Sequence, residues 1–395
     1  MIASFLKNQK NRLRRLGLEV SVIDPKHRQV VSRPPAGAVK GNVLLAYVID
    51  PFLLDESAKV SSAHTHHIES LQMAQVFLDR GYAVDVIHYL NDTFTPRKRY
   101  DFFVSARINF SQIARRLNAD CVKIAHFDTS HYVFNNAVAF KRVLDLQQRR
   151  GVNSNSIRII EKSAAVENAD HAVVLGNDFT MGTYAYAKKP MYALNVPTPN
   201  VYPSPQSKDF AAARTRFLWL GSTGLVHKGL DLVLEAFAQT PELELYVCGP
   251  LQQEKEFSQQ YHKELHQTPN IYAIGWTDVG STRFQELVNQ CSALIYPSCA
   301  EGQAGAVVTC TQAGLIPIAS YESGMDTRDF GITLTDCSVG NLVQTLRTFA
   351  DRPADELQGM AVRAWEYARS HHTPDGYKRR YGDIIDTIRQ TSGNI

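Results

Sequence analysis

The sequence predicts an α/β protein of two Rossmann-like domains, residues 1–205 and 206–395, each a parallel sheet flanked by helices, facing one another across a cleft. Three observations lead there. Short apolar runs of strand length alternate with amphipathic stretches of helical period along most of the chain, the pattern of parallel strands joined by right-handed crossovers. The alternation is interrupted at "NVPTPNVYPSPQSKD" (195–209), whose four prolines and missing apolar periodicity read as an interdomain linker. The 395 residues, 44% hydrophobic and 21% charged, suffice for two ordinary cores.

In the first half, "NVLLAYVI" reads as a buried strand, "HIESLQMAQVFLDRG" as an amphipathic helix closed by Gly81, and "YAVDVIHY" as a second strand. The strand "YDFFVSA", the helix "FSQIARRLN", the strand "CVKIAHF", a long polar helical region around 137–168 and the strand "HAVVLG" follow. The second half repeats the theme: "FLWLG", a helix over 229–239, "LELYVCG", "NIYAIGW", a helix over 282–290, "ALIYPS", a helix over 304–313, "IPIAS" and "GITLT". The last helix is expected to return to the first domain. In such open sheets ligands bind outside the carboxyl ends of the strands.

Composition excludes several classes. The longest apolar run, Val43 to Ile49, is far too short to span a bilayer, and the N-terminus "MIASFLKNQKNRLRRLGLEV" has no apolar stretch of signal-peptide length. The six cysteines are scattered without CxxC pairs, which points to a reducing cytoplasm with neither disulfides nor zinc. Residues 1–205 carry 26 basic and 17 acidic residues, a net +9, and residues 206–395 carry 16 and 22, a net −6. Basic clusters at Lys7 to Arg15, Arg97 to Arg99, Arg115 and Arg116, Arg149 and Arg150, and Lys188 and Lys189 suit an anionic partner such as a membrane surface or phosphorylated glycan, or else are solvated faces. They are not interleaved with aromatics on one face, so nucleic-acid binding is not expected. "HTHH" at 64–67 lacks an acid or cysteine at ligand spacing, and no metal site is expected there.

Two segments carry chemistry. In "FLWLGSTGLVHKGLDLVLEAF" a strand ends at Leu220, a Gly-Ser-Thr-Gly turn follows, and Lys228 precedes a helix. Gly221, Ser222 and Thr223 with Lys228 outline a phosphate cradle, since glycines let the backbone approach an anion and lysine adds a charge. The spacing is not that of a Walker A loop and GxGxxG is absent, which weakens ATPase and dehydrogenase readings. In "SCAEGQAGAVVTCTQAGLIPIAS" (298–320), Glu301 occupies an equivalent place between "ALIYPS" and a helix beginning near Ala304. A carboxylate beside helix-start amides suits a ligand with both hydroxyls and phosphates. The competing reading, a helix-capping acid, fits poorly because Glu is a weak cap. Trp276, after "YAIG", either lies near a nucleotide base or fills core.

Together, "GSTGLVHKGLDLVLEAF", "LYVCGP", "NIYAIGW" and "PSCAEGQAGAVVTCTQAGLIPIAS", in this order and spacing, resemble the C-terminal domain of GT-B glycosyltransferases of family 4, the glycosyl transferases group 1. The resemblance is specific over about 210–335. It implies a retaining, metal-independent transferase using a nucleotide diphosphate sugar, UDP- or GDP-linked, with no further cofactor. It further implies that Lys228 holds the diphosphate and Glu301 the sugar hydroxyls. Gly302, Gln303, Ala304 and Gly305 would lie against the donor, with Gly249 and Trp276 contributing to its site. In the N-terminal half "IAHFDTSH" sits where a histidine enters the cleft, and His126 is its best match. His126 and His131 flank Asp128, and a hydrogen-bonding or acceptor-orienting role suits them better than acid–base work. Two positions depart from the pattern: the arginine five residues before the lysine is Thr223, and the second glutamate of the loop is Thr309. Each change removes a charge-assisted contact, worth about 1.5 to 3 kcal/mol where it is made.

The expected function is transfer of a sugar to a hydroxyl acceptor, a saccharide or lipid-linked one, held by the basic first domain of a cytoplasmic protein peripheral to the membrane. The alternatives are a catalytically silent GT-B subunit, supported by Thr223 and Thr309, and a sugar-nucleotide epimerase, which needs cleft acids in the N-terminal half that the sequence does not place.

Overall fold

The computed structural model describes residues 24–54 and 65–393. Its first sheet holds β1 (Val30–Arg33), β2 (Gly41–Tyr47), β3 (Tyr82–His88), β4 (Phe102–Ser105), β5 (Val122–Phe127), β6 (His171–Leu175) and β7 (Met191–Leu194), in the order β1-β3-β2-β4-β5-β6-β7. All neighbours are parallel except β1, which lies antiparallel along the β3 edge. The second sheet holds β8 (Arg216–Leu220), β9 (Glu244–Cys248), β10 (Ile271–Ala273), β11 (Ala293–Tyr296), β12 (Ile316–Ser320) and β13 (Ile332–Leu334), in the order β10-β9-β8-β11-β12-β13, all parallel. Helices cover both faces of such sheets, which is why Val43 to Tyr47 and Ile316 to Ser320 form unbroken buried runs with no polar face.

The topology says where ligands belong. In the first sheet the chain builds β3 on one side of β2 and then crosses to β4 on the other. In the second it builds β9 and β10 on one side of β8 and then crosses to β11. The crevices at the carboxyl ends of β2/β4 and of β8/β11 are therefore the two switch points. Lys228 and Glu301 lie in the loops after β8 and β11, and Tyr47 and Arg107 at or just past the ends of β2 and β4.

Three departures from the sequence reading have local causes. The helical region expected over 137–168 is a helix at Tyr132–Arg150, stopped by Gly151 in the left-handed region (φ 66°), followed by thirteen residues without helix up to Ala164. That helix does not stay with the first sheet: Val143 and Leu146 join the apolar cluster of Phe217, Trp219 and Val233 beneath the second. The basic pair Arg149 and Arg150, expected on an anionic surface, is spent inside the molecule, Arg149 on Asp231 (2.6 Å) and Glu235 (3.0 Å), Arg150 on Glu264 (2.6 Å). Lys7 to Arg15 lies outside the described residues.

The proline-rich segment 195–209 is tied down as it crosses, with Val196, Thr198 and Tyr202 buried, Val196 N–H on Gln303 Oε1 (2.7 Å) and Thr198 N–H on the His372 carbonyl (2.9 Å). At the C-terminus the helix Pro374–Thr391 packs on the helix Thr65–Asp79 of the first half, with Arg80 on Asp386 (2.6 Å), Lys378 on Asp79 (2.6 Å) and Tyr381 edge-on to Phe77. Among the described residues, no helix is long and apolar enough to cross a membrane.

Candidate functional site

Because β8 and β11 are neighbours in the sheet, the loops that follow them meet. Lys228 Nζ lies 2.7 Å from Glu301 Oε1 and 3.1 Å from the Tyr296 hydroxyl. The same Oε1 accepts from Tyr296 (3.0 Å) and from Ser298 Oγ (3.1 Å). Arg158 Nη1 reaches Glu301 Oε2 at 3.4 Å. Lys228 is 5% and Glu301 7% exposed. Burial pushes the Glu301 carboxyl up, but Lys228, Arg158 and His227 outweigh it and hold the group far below the usual carboxylate range. Burial pulls the Lys228 ammonium down, against the attraction of Glu301. Glu301 is thus a fixed anion whose neighbours are all donors.

Lys228 and Glu301, given separate tasks by the sequence reading, form one buried ion pair. Ser222 and Thr223 are exposed on the turn after β8. The anion cradle of that turn is occupied by the protein itself: the Glu254 carboxylate accepts from the amides of Gly224 and Leu225. Gly221 and Gly249 lack side chains for a packing reason, since a Cβ at either would meet the buried Trp219 ring at 2.4 and 2.8 Å. Trp276 is 65% exposed, which removes the core-filling reading. Of the amides expected to face the donor, that of Ala304 is committed to the Ser323 carbonyl (2.8 Å), and the neighbouring Glu301 N–H donates to the Glu322 carbonyl (2.9 Å). Gln303 spends its side chain on Val196 and Asn195. Gly305 opens the helix Gly305–Gln312 facing Thr65, and Thr309 is buried one turn further on.

Gly302 brings the β8/β11 switch point against the first sheet, at the loop after β5. A Cβ there would stand 2.4 Å from the Asp128 carbonyl oxygen, so only glycine lets the loop after β11 touch the loop after β5, where Ser130 N–H donates to the Glu301 carbonyl (3.0 Å). On the other side of this seam lies a second polar group. Tyr47, at the end of β2, donates to Glu69 Oε2 (2.7 Å), and His66 Nδ1 lies 2.7 Å from the same hydroxyl and 3.1 Å from the same carboxylate oxygen. Asp128 faces Arg107 at 3.4 Å. His126 is on β5 itself, fully buried, its ring edge-on to Tyr47 and Tyr381 (centroids 5.2 and 6.3 Å). Burial holds His126 neutral, and among the described residues neither of its ring nitrogens has a hydrogen-bond partner. Glu69 Oε1 is likewise buried and unpartnered. Polar atoms buried unpaired are costly unless something polar meets them. His131 does not join this group: its Nδ1 accepts the Val133 amide and its Nε2 meets Tyr186, so it caps the helix Tyr132–Arg150.

Burial pulls the His66 imidazolium down, yet the Glu69 carboxylate raises it from 6.5 to about 9. A raised folded value means that the stabilising charge is fully present below pH 6.5 and is lost as pH rises towards 9. An NMR titration of His66 is expected to show a midpoint near 9, and a midpoint at or below 6.5 contradicts the pairing. Of "HTHH", His64 lies outside the described residues. The described His/Asp grouping with ligand-like spacing, His27, Asp50 and His88, has two of its groups already engaged: Asp50 with Lys26 (2.9 Å), and His88 Nδ1 with the Leu90 amide (3.1 Å).

Sequence reasoning missed Tyr47, Glu69, Arg107, Arg158, Tyr296 and Ser298. Glu69 had a signal: with Met73 and Phe77 it recurs every fourth residue, which puts an acid on the buried stripe of its helix. Arg158 had none, standing in a stretch without periodicity.

Two parallel-sheet Rossmann-like domains with facing switch points define the GT-B class of protein. Residues 214–351 match the family model of the glycosyl transferases group 1. Solved structures with this fold include a sucrose-phosphate synthase from Thermosynechococcus elongatus (15% identity, 91% of this chain and 100% of that one, TM-score 0.60). HepE of Anabaena, in complex with UDP and glucose, is another (13% identity, 88% and 100%, TM-score 0.54). A third is TarM of S. aureus (9% identity, 72% and 55%, TM-score 0.51). A search of curated protein sequences finds no match. The molecule has the GT-B fold and resembles the group 1 glycosyltransferases, the sequence resemblance being carried by its second domain.

Proposed function

We propose that this protein is a retaining glycosyltransferase that moves a sugar from a nucleotide diphosphate sugar to a hydroxyl of an acceptor bound by the first domain. The observation that carries this reading is the buried Lys228–Glu301 pair at the β8/β11 switch point, set against the Asp128–Ser130 loop of the first sheet. A nucleotide sugar is complementary to such a pair: its diphosphate supplies an anion for the lysine, and its sugar hydroxyls donate to the carboxylate that the lysine releases. The bond from the anomeric carbon to the diphosphate oxygen breaks as the bond to the acceptor oxygen forms, and the acceptor proton passes to the departing phosphate. Lys228 steadies charge on that leaving group and Glu301 holds the sugar in register with the acceptor. No step of this scheme calls on a metal. His126, Glu69 and Asp128 offer the acceptor hydrogen-bonding groups at the facing switch point.

The test is incubation with UDP-, GDP- and ADP-sugars, following both nucleotide release and sugar products. Released nucleotide with transferred sugar supports transfer. Bound donor without turnover supports a silent binding subunit. Glu69, buried against Tyr47 and His66, and Asp128, facing Arg107, are acids of the first half of the kind an epimerase requires, so an epimerised nucleotide sugar is the product that favours that second reading.

Peripheral association with an anionic surface rests on Lys7 to Arg15, on the exposed Arg97 to Arg99, Arg115 and Arg116, and on Lys188 and Lys189, since Arg149 and Arg150 are engaged internally. Sedimentation with anionic liposomes is expected at low ionic strength and to disappear with added salt; none at low ionic strength contradicts it.

A further inference from the structure

We propose that Arg158, delivered from the first half of the chain, is the second cation of the donor's diphosphate site, so that the site is complete only when the segment after the helix Tyr132–Arg150 lies on the second domain. This rests on the donor-site reading above. The segment is fastened at both ends of its path. Asn135 Nδ2 donates to the Arg158 carbonyl (3.2 Å), and Asn136 pairs with Ile160 through both its amide atoms (2.9 Å each). Ser156 Oγ donates to Glu254 Oε2 (3.0 Å), the same carboxylate that holds the Gly224 and Leu225 amides. Arg158 is therefore laid across the turn after β8: a Cβ on Gly224 would meet its Cδ at 3.2 Å.

Its guanidinium is poised for an additional partner. Among the described residues the side chain makes one hydrogen bond, the long 3.4 Å contact to Glu301 Oε2, and it is 38% exposed. A guanidinium has five donors in a planar fork that suits phosphate. Among the described residues of the second half, Lys228 is the cation paired with Glu301, and the exposed residue beside the turn is the neutral Thr223. A leaving diphosphate carries more than one negative charge, and the other cation on Glu301, Arg158, comes from the opposite half of the chain. A diphosphate held by Lys228 and Arg158 together adds one more tie between the segment and the second domain, beside the Ser156–Glu254 contact.

Calorimetric titration of the full chain with UDP, GDP and ADP, each beside its nucleoside, tests this. The quantity read is the gain in affinity from nucleoside to nucleoside diphosphate. Arg158→Ala is expected to shrink that gain about 10- to 100-fold while nucleoside affinity stays within about twofold, the scale of one charge-assisted phosphate contact. Arg158→Lys keeps part of it. Adding Thr223→Arg to Arg158→Ala restores most of it, because the new side chain starts beside Gly224 and covers the same turn. If the parent binds a nucleoside diphosphate and Arg158→Ala binds it equally, Arg158 is only a structural partner of Glu301 and the inference is overturned, with the donor site intact. If Arg158→Ala loses nucleoside and diphosphate affinity alike, its role is structural and the inference is also overturned. If the parent binds none of the three diphosphates, the donor-site reading itself fails and Arg158 falls with it.

Discussion

Replacing Glu301 with glutamine is expected to lower sugar transfer by roughly a hundredfold or more while free nucleotide affinity stays within about threefold of the parent or tightens. The substitution keeps size and removes charge, so hydrogen bonds from sugar hydroxyls weaken. It also frees Lys228, whose ammonium is 2.7 Å from that carboxylate, to meet a diphosphate without competition. Lys228→Ala is expected to behave differently, losing nucleotide affinity and turnover together, each on the scale of about 1.5 to 3 kcal/mol for a charge-assisted contact. Because the pair is buried, Lys228→Ala also strands a carboxylate, for which a stability loss of about 3 to 5 kcal/mol is typical. Glu301 contributes stability through a depressed pKa, present above the ordinary carboxylate value of 4.5 and lost as pH falls below it; the stability gap between parent and Glu301→Gln should narrow over that fall. Nucleotide calorimetry, turnover and denaturation of both variants check these points. A folded Glu301→Gln that transfers sugar at the parent rate would make the glutamate merely structural.

Gly324→Ala is expected to destabilise the protein by roughly 2 to 5 kcal/mol, from left-handed strain and steric conflict together. Gly324 has φ +74°, and a Cβ there would lie 1.5 Å from the Gly302 carbonyl oxygen. That oxygen cannot retreat: it accepts from Thr180 Oγ1 at 2.9 Å, and Gly302 itself rests on the Asp128 carbonyl across the seam. The strain therefore reaches both loops that bring donor and acceptor sides together, and activity should fall with stability. Gly340, exposed in the first turn of the helix Val339–Ala350 with nothing within 4 Å of a Cβ, is the contrast; Gly340→Ala is expected to gain about 0.5 to 1 kcal/mol. Chemical denaturation of the two variants measures the difference, and equal stabilities contradict the account of the seam.

The alternation of strand and helix was legible because parallel sheets leave unbroken apolar runs, as at Val43 to Tyr47. The strands β1 and β7 were not, since "VVSR" and "MYAL" are short pieces whose pairing at a sheet edge, and not their own pattern, makes them strands. The helix drawn to 168 overran because a polar stretch without periodicity was read through Gly151. Lys228 and Glu301 were each found from glycine-rich turns after strands. Their contact was not, because it requires knowing that β11 pairs with β8. The turn after β8 was legible as an anion cradle; that its amides hold Glu254, from farther along the chain, was not. Glu69 was within reach of a helical-face argument. Arg158 was not, because a loop residue is placed by what it is tied to, here Asn135 and the Ser156–Glu254 contact.

The central claim is that the crevice between β8 and β11 holds the diphosphate of a nucleotide sugar on Lys228. Calorimetric titration of the parent and of Lys228→Ala with UDP, GDP and ADP tests it most directly. Saturable binding of at least one of them by the parent, weakened about tenfold or more in a folded Lys228→Ala, is the expected result; no binding of any by the parent, or equal binding by both proteins, contradicts it.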